Sequence, residues 1–194
     1  MNSFDPNAYG PVFAPLLDVG RRRPLDAGHP SRAAALKGLS IEEAFAHVDA
    51  NGRSLAADRD LGDCCVAAVW LMHDFLDESH SISQRIDTPE GSYWHAIMHR
   101  REGDFSNAKY WYRRVEGHPV LDTVGQRLAE FAYNLALGVQ SVMMQSFRDS
   151  FWNPFEFVDL CEFAVREKSY TQEFCLDVQQ VEWEALFNYC YHAS

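Results

Sequence analysis

Residues 91–119 read GSYWHAIMHRREGDFSNAKYWYRRVEGHP, and their punctuation decides the fold. No glycine or proline interrupts the run from Ser92 to Arg101, where Trp94, Ile97, Met98 and Arg101 recur at helical spacing, the arginine adding its apolar stem. Gly103 stands where a left-handed C-cap ends such a helix. Asp104 then reads as the N-cap of a second helix, with Asn107 as a capping partner. In that helix Phe105, Ala108, Tyr112 and Val115 face inward, and Gly117 and Pro119 end it. The stretch predicts an antiparallel helical hairpin.

The set Gly103-Asp104-Phe105, Ala108, Tyr112, Val115 and Pro119 resembles the second half of a tetratricopeptide repeat, in which a small residue lets two helices approach closely. The gap to Pro119 is one residue shorter than the repeat's, and Trp94 and His95 depart from its first-helix pattern. No second copy follows. About three repeats are needed to bury a continuous core, so the likeness implies one hairpin and not an array. The longer block from His73 to His80, continued by Tyr93 to Arg114, is similar to one shared by uncharacterised bacterial and fungal proteins, and that likeness implies no activity.

Upstream, residues 58–80 read as one helix. Leu61, Cys65, Ala68, Met72 and Phe75 repeat at three or four residues, and Asp58, Asp60 and Asp63 suit its N-terminal dipole. Val66, Val69 and Trp70 make the rest of its surface apolar, which predicts a central, buried helix. Residues 1–38 carry Pro6, Pro11, Pro15, Pro24 and Pro30, a punctuation that forbids long elements and predicts an irregular arm strapped to the body by Val12-Phe13 and Leu16-Leu17. Ser40 and Glu43 form a capping box for a short helix to Val48, and Asn51-Gly52 turns the chain.

Downstream, 120–137 reads as helix with Val124, Leu128, Phe131, Ala132 and Leu135 inward, and 139–152 as a further helix or buried connector. Asn153-Pro154 with Glu156 is a sharp helix start for a segment carrying Phe157, Leu160, Cys161 and Ala164. Ser169 with Gln172 caps a last helix whose stripe is Phe174, Val178, Val181, Ala185 and Tyr189. Nothing alternates with period two over a strand length. The prediction is an all-α domain over 39–194 of about six to seven helices, preceded by the arm.

At 194 residues the chain is long enough to bury one sizeable core. A net charge of −11 argues against nucleic acid and anionic membranes as partners, since both require a positive field. No apolar run approaches the ~20 residues that span a bilayer, and Met-Asn-Ser-Phe-Asp-Pro lacks the features of a signal peptide, so a cytosolic location is the expectation. The five cysteines have no metal-type spacing and fit reduced thiols in a core. No phosphate loop or nucleophile elbow occurs.

Chemistry concentrates in two lines. His73, Asp77 and His80 stand at i, i+4 and i+7 of the 58–80 helix, and His95, His99 and Glu102 repeat that arrangement in the hairpin. Two functions follow. Because the hairpin resembles an interaction repeat, the first is a binding protein whose pocket of His95, His99, Arg100, Arg113, Tyr110 and Trp111 takes a small anionic ligand or a peptide carboxylate. The second is a metal-dependent, hydrolytic enzyme with His73, His95 and His99 holding a transition metal and Asp77 or Glu102 as base.

Overall fold

Most helices here begin at a side-chain cap or a proline. The computed structural model describes residues 4–30, 36–37, 39–40, 58–115, 117–134, 152–168 and 171–194. Among these residues it is all-helical and contains no strand. A 3₁₀ turn at Pro6–Tyr9 leads into α1 (Gly10–Leu17), followed by α2 (Arg59–Met72), α3 (Leu76–Ser83), α4 (Pro89–Glu102) and α5 (Phe105–Tyr112). Then come α6 (Pro119–Asn134), α7 (Pro154–Glu167) and α8 (Thr171–Ala193). Glu43 of the expected capping box and the short helix to Val48, the Asn51-Gly52 turn and most of the 139–152 segment lie outside the described residues.

Helix α4 is the enclosed one. Every residue from Gly91 to Arg101 is buried, because α2, α3 and α5 all pack on it. Thr88 caps its start by accepting from Gly91 N at 3.2 Å, and Gly103 ends it at φ +89. There the Asp104 amide donates to His99 O and the Gly103 amide to Arg100 O, the paired bonds of a Schellman motif. Asp104 caps α5 through Asn107 N at 3.1 Å, and Ala108, Tyr112 and Val115 turn inward as the hairpin pattern predicts. Asn153 caps α7 as expected, accepting from Phe155 N and Glu156 N.

The 58–80 helix is broken. Asp74 adopts φ +68, the Asp74 amide donates to Leu71 O and the Phe75 amide to Trp70 O, so α2 ends in a second Schellman motif without a glycine. The motif's apolar contact is the Trp70 and Phe75 ring pair, centroids 5.2 Å apart. Two buried or half-buried arginines hold Asp74 in place: Arg101 donates to Oδ1 at 2.6 Å, and Arg23 pairs with Oδ2. The chain therefore changes direction before His80, and His73, Asp77 and His80 no longer share one face.

Helix α8 packs across α2, α6 and α7. Trp183 Nε1 donates to Ala68 O at 3.2 Å. Its buried face includes Cys175, Val178, Glu182, Leu186 and Cys190, rotated from the predicted stripe, of which only Val178 and Ala185 are buried. The rotation follows Glu182, which is drawn into the core by Arg100 at 2.6 Å and by the Tyr112 hydroxyl at 2.8 Å.

The N-terminal arm is more ordered than its prolines suggest. Pro11 sits in the first turn of α1, where a missing amide costs nothing, and Phe13, Leu16 and Leu17 are buried. Arg21, Arg22 and Arg23 fasten the arm by pairing with Glu184, Asp177 and Asp74. All five cysteines are buried and free.

Candidate metal centre

Breaking the 58–80 helix gives α3 its own direction, and that direction carries His80 to the two histidines of α4. One ring nitrogen from each of His80, His95 and His99 lies within 4.8 Å of the others. His95 and His99 are one helical turn apart and stack at 4.6 Å between centroids, while His80 meets them edge-on at 4.7 and 5.3 Å. Trp111 of α5 closes the far side of His95, stacking at 4.0 Å.

The environment favours the neutral form of the two α4 rings. His95 is 3% exposed, and neither of its nitrogens has a hydrogen-bond partner. Burial, reinforced by His99 and His80 beside it, pushes its pKa down to about 3. Burial also lowers His99, against the opposing pull of Glu102. Glu102 Oε2 lies 3.1 Å from His99 Nδ1 and Asn107 Nδ2 lies 3.0 Å from Nε2. The carboxylate thus accepts from Nδ1–H, the tautomer that carboxylate–histidine pairs select at metal sites, and the Nε2 lone pair accepts from the Asn107 side-chain amide, which a metal ion would have to displace. His95 is the unsatisfied member: its neutral ring buries one N–H donor and one lone pair, both without partners, and the lone pair is available as a ligand donor.

The residues present fit a transition ion. Nitrogens about 2.0–2.1 Å from a tetrahedral zinc sit roughly 3.3 Å apart, against the observed mutual spacing within 4.8 Å. Three imidazoles leave a coordination position open, the arrangement of catalytic rather than structural sites. His80 and His99 open on a cleft of about 890 Å³ whose walls include Phe75, Leu76, Asp77, Glu78, Met98 and Glu102. Its remaining wall is the arm: Gly28, at φ +66, brings its backbone so close to Asp74 that a Cβ there would lie 2.7 Å from the carboxylate carbon. Arg101 binds that wall by donating to Pro24 O and Asp26 O.

The other residues singled out in the sequence are placed differently. His73 is buried away from this cluster and donates through Nε2 to Leu16 O at 2.9 Å; its predicted ligand position is taken by His80. Arg100 is 1% exposed, bonded to Glu182 and Tyr112 with its guanidinium 4.5 Å over the Phe157 ring. It faces the core. Tyr110 is 49% exposed and Arg113 is exposed at the end of α5. The six residues of the predicted anion pocket therefore do not converge; His95, His99 and Trp111 do. Asp77 lines the cleft, exposed, and Glu102 is committed to His99. His118, not singled out in the sequence, is a structural histidine: its Nδ1 accepts from Val120 N at 3.2 Å, and its Nε2 lies 3.1 Å from Glu90 Oε1.

No described helix is long and apolar enough to cross a membrane. No family model, curated protein or solved structure matches the chain.

Proposed function

We propose that the chain binds a divalent transition metal through His80, His95 and His99 and carries out hydrolysis in the adjoining cleft. The observation that supports this is the convergence of three imidazoles around His95, whose two buried nitrogens lack partners. When bound, the ion would supply Lewis acidity and a water acidic enough to ionise near neutral pH.

The chain's own residues divide the remaining work. Glu102 fixes the His99 tautomer and ring plane, and Trp111 and His99 hold His95 between them. Asp77, an uncommitted carboxylate on the cleft wall, takes the proton of the attacking water. The water oxygen bonds to the acyl carbon, the acyl bond to nitrogen or oxygen breaks, and Asp77 returns the proton to the leaving atom. The tetratricopeptide likeness of α4–α5 is on this reading a matter of packing: the buried Ala108 lets the helices approach, and the buried His95 and His99 of α4 supply the site.

Elemental analysis of untagged full-length protein, purified with zinc, cobalt or nickel supplementation, tests the proposal. About one ion per chain is expected, removed by chelator and absent from a His95→Ala/His99→Ala variant that keeps its helical circular dichroism. Protein free of metal after every supplementation would refute it.

A further inference from the structure

We infer that oxidation closes two disulfides, Cys161–Cys175 and Cys64–Cys190, which fasten the two ends of α8 to α7 and α2. The inference stands apart from the metal reading above.

Helix register brings the first pair together. Gln172 Nε2 donates to Ala164 O at 3.0 Å where α8 runs back along α7. Cys175 lies three residues beyond Gln172 and Cys161 three residues before Ala164, close to one turn in each case, so the same crossing sets the two thiols opposite each other. They share a hydrogen bond, and both are buried, at 0% and 1% exposure. The second pair follows from the contact of α8 with α2. Trp183 Nε1 donates to Ala68 O, and the two helices again run in opposite senses: Cys190 follows Trp183 by two turns, and Cys64 precedes Ala68 by one. The Cys64 and Cys190 thiols also share a hydrogen bond, and neither is exposed. Four of the five buried cysteines are thus sorted into two contacts, one near each end of α8. Cys65 is left over, since neighbours on a helix point about 100° apart.

The oxidant is a low-molecular-weight disulfide such as oxidised glutathione. One protein thiolate attacks a glutathione sulfur, the glutathione S–S bond breaks, and one glutathione thiolate leaves. The second protein thiolate then attacks the protein sulfur of the mixed disulfide and releases the other. The two thiol protons pass to the released glutathiones; each protein pair loses two electrons and the oxidant gains them. Burial governs the pace. The Cys190 hydrogen bond and burial push the Cys64 thiol up, and burial and the Cys175 hydrogen bond push up Cys161, so neither ionises readily in the folded chain. Exchange therefore proceeds when α8 lifts from α7 and α2, and the closed bonds then hold it down. Closing a loop of about 15 residues disfavours the unfolded chain by a factor on the order of a hundred.

Full-length untagged protein, incubated with chelator in a mixture of oxidised and reduced glutathione that lets wrong pairs reshuffle, tests the inference. After alkylation in denaturant, unreduced peptide mapping by mass spectrometry should find Cys161–Cys175 and Cys64–Cys190 within one chain and Cys65 alkylated. Urea below the midpoint should speed the reaction. At equal urea the oxidised protein should have an unfolding constant at least about tenfold smaller than the reduced protein, a difference that dithiothreitol abolishes. Cys175→Ala should keep only Cys64–Cys190, and Cys190→Ala only Cys161–Cys175. Absence of either linkage from the parent, a predominant Cys64–Cys65, Cys65–Cys190 or interchain bond, or oxidised protein no more stable than reduced overturns the inference.

Discussion

Arg101 Nη2 donates to Asp74 Oδ1 at 2.6 Å with both side chains sealed from water, so the last turn of α4 holds the residue at which α2 turns left-handed. The candidate centre depends on this bond, because the turn at Asp74 is what sends His80 toward His95 and His99. Removing one member of a buried ion pair strands the other charge and costs roughly 3–5 kcal/mol. Asp74→Ala should therefore destabilise the protein by about that amount in urea unfolding. Asp74→Gly should lose less, since glycine relieves a left-handed strain of about 1–3 kcal/mol. Equal midpoints for both variants and the parent would contradict the assigned role.

The Arg100, Tyr112 and Glu182 network joins α4, α5 and α8 without access to solvent. Glu182→Ala should cost about 3–5 kcal/mol by the same argument. Replacing both charges, as Arg100→Met with Glu182→Leu, should recover most of that loss, since apolar side chains of similar volume need no desolvation. A double-mutant cycle reads the coupling, and additive losses would show that the two residues act separately.

Acid should unfold the protein in two windows. His95 titrates at about 3 in the folded chain against 6.5 unfolded, so the unfolded chain binds the extra proton between these values. Stability is then fully present above about 6.5 and lost as the pH falls toward 3. Glu90, held down to about 2 by the His118 hydrogen bond against a normal 4.5, contributes stability that is present above 4.5 and lost as the pH falls toward 2. Urea midpoints between pH 6.5 and 4.5 should decline in the parent and decline less steeply in His95→Gln, where only His99 still contributes in the same direction, while Glu90→Gln should alter only the lower window. An undiminished decline in His95→Gln would rule out the first contribution.

The helical hairpin was legible because its signals are local: Gly103, Asp104 and the Ala108–Tyr112–Val115 stripe act within one or two turns. The same holds for Asn153-Pro154 at the start of α7. What escaped was set by long-range charge. Asp74 ends α2 without glycine because Arg23 and Arg101, 51 and 27 residues away, hold it there. Nothing within 58–80 announces that stop, so its periodicity reads as one continuous helix and favours His73 over His80 as a ligand. Glu182 rotates α8 for the same reason, its partner Arg100 lying 82 residues upstream. Arg100 looked like part of an anion pocket because its neighbours in sequence are basic and aromatic, whereas its neighbours in space are Glu182, Tyr112 and Phe157.

Zinc titration calorimetry on chelator-treated, untagged protein tests the metal centre most directly, provided that His73→Gln and His80→Gln are run beside the parent. The parent should bind one zinc per chain, His73→Gln should bind it with parental affinity, and His80→Gln should bind at least about tenfold more weakly, as expected when a ligand is lost. A parent that takes up no zinc, or a His80→Gln variant that binds it as tightly as the parent, would contradict the assignment.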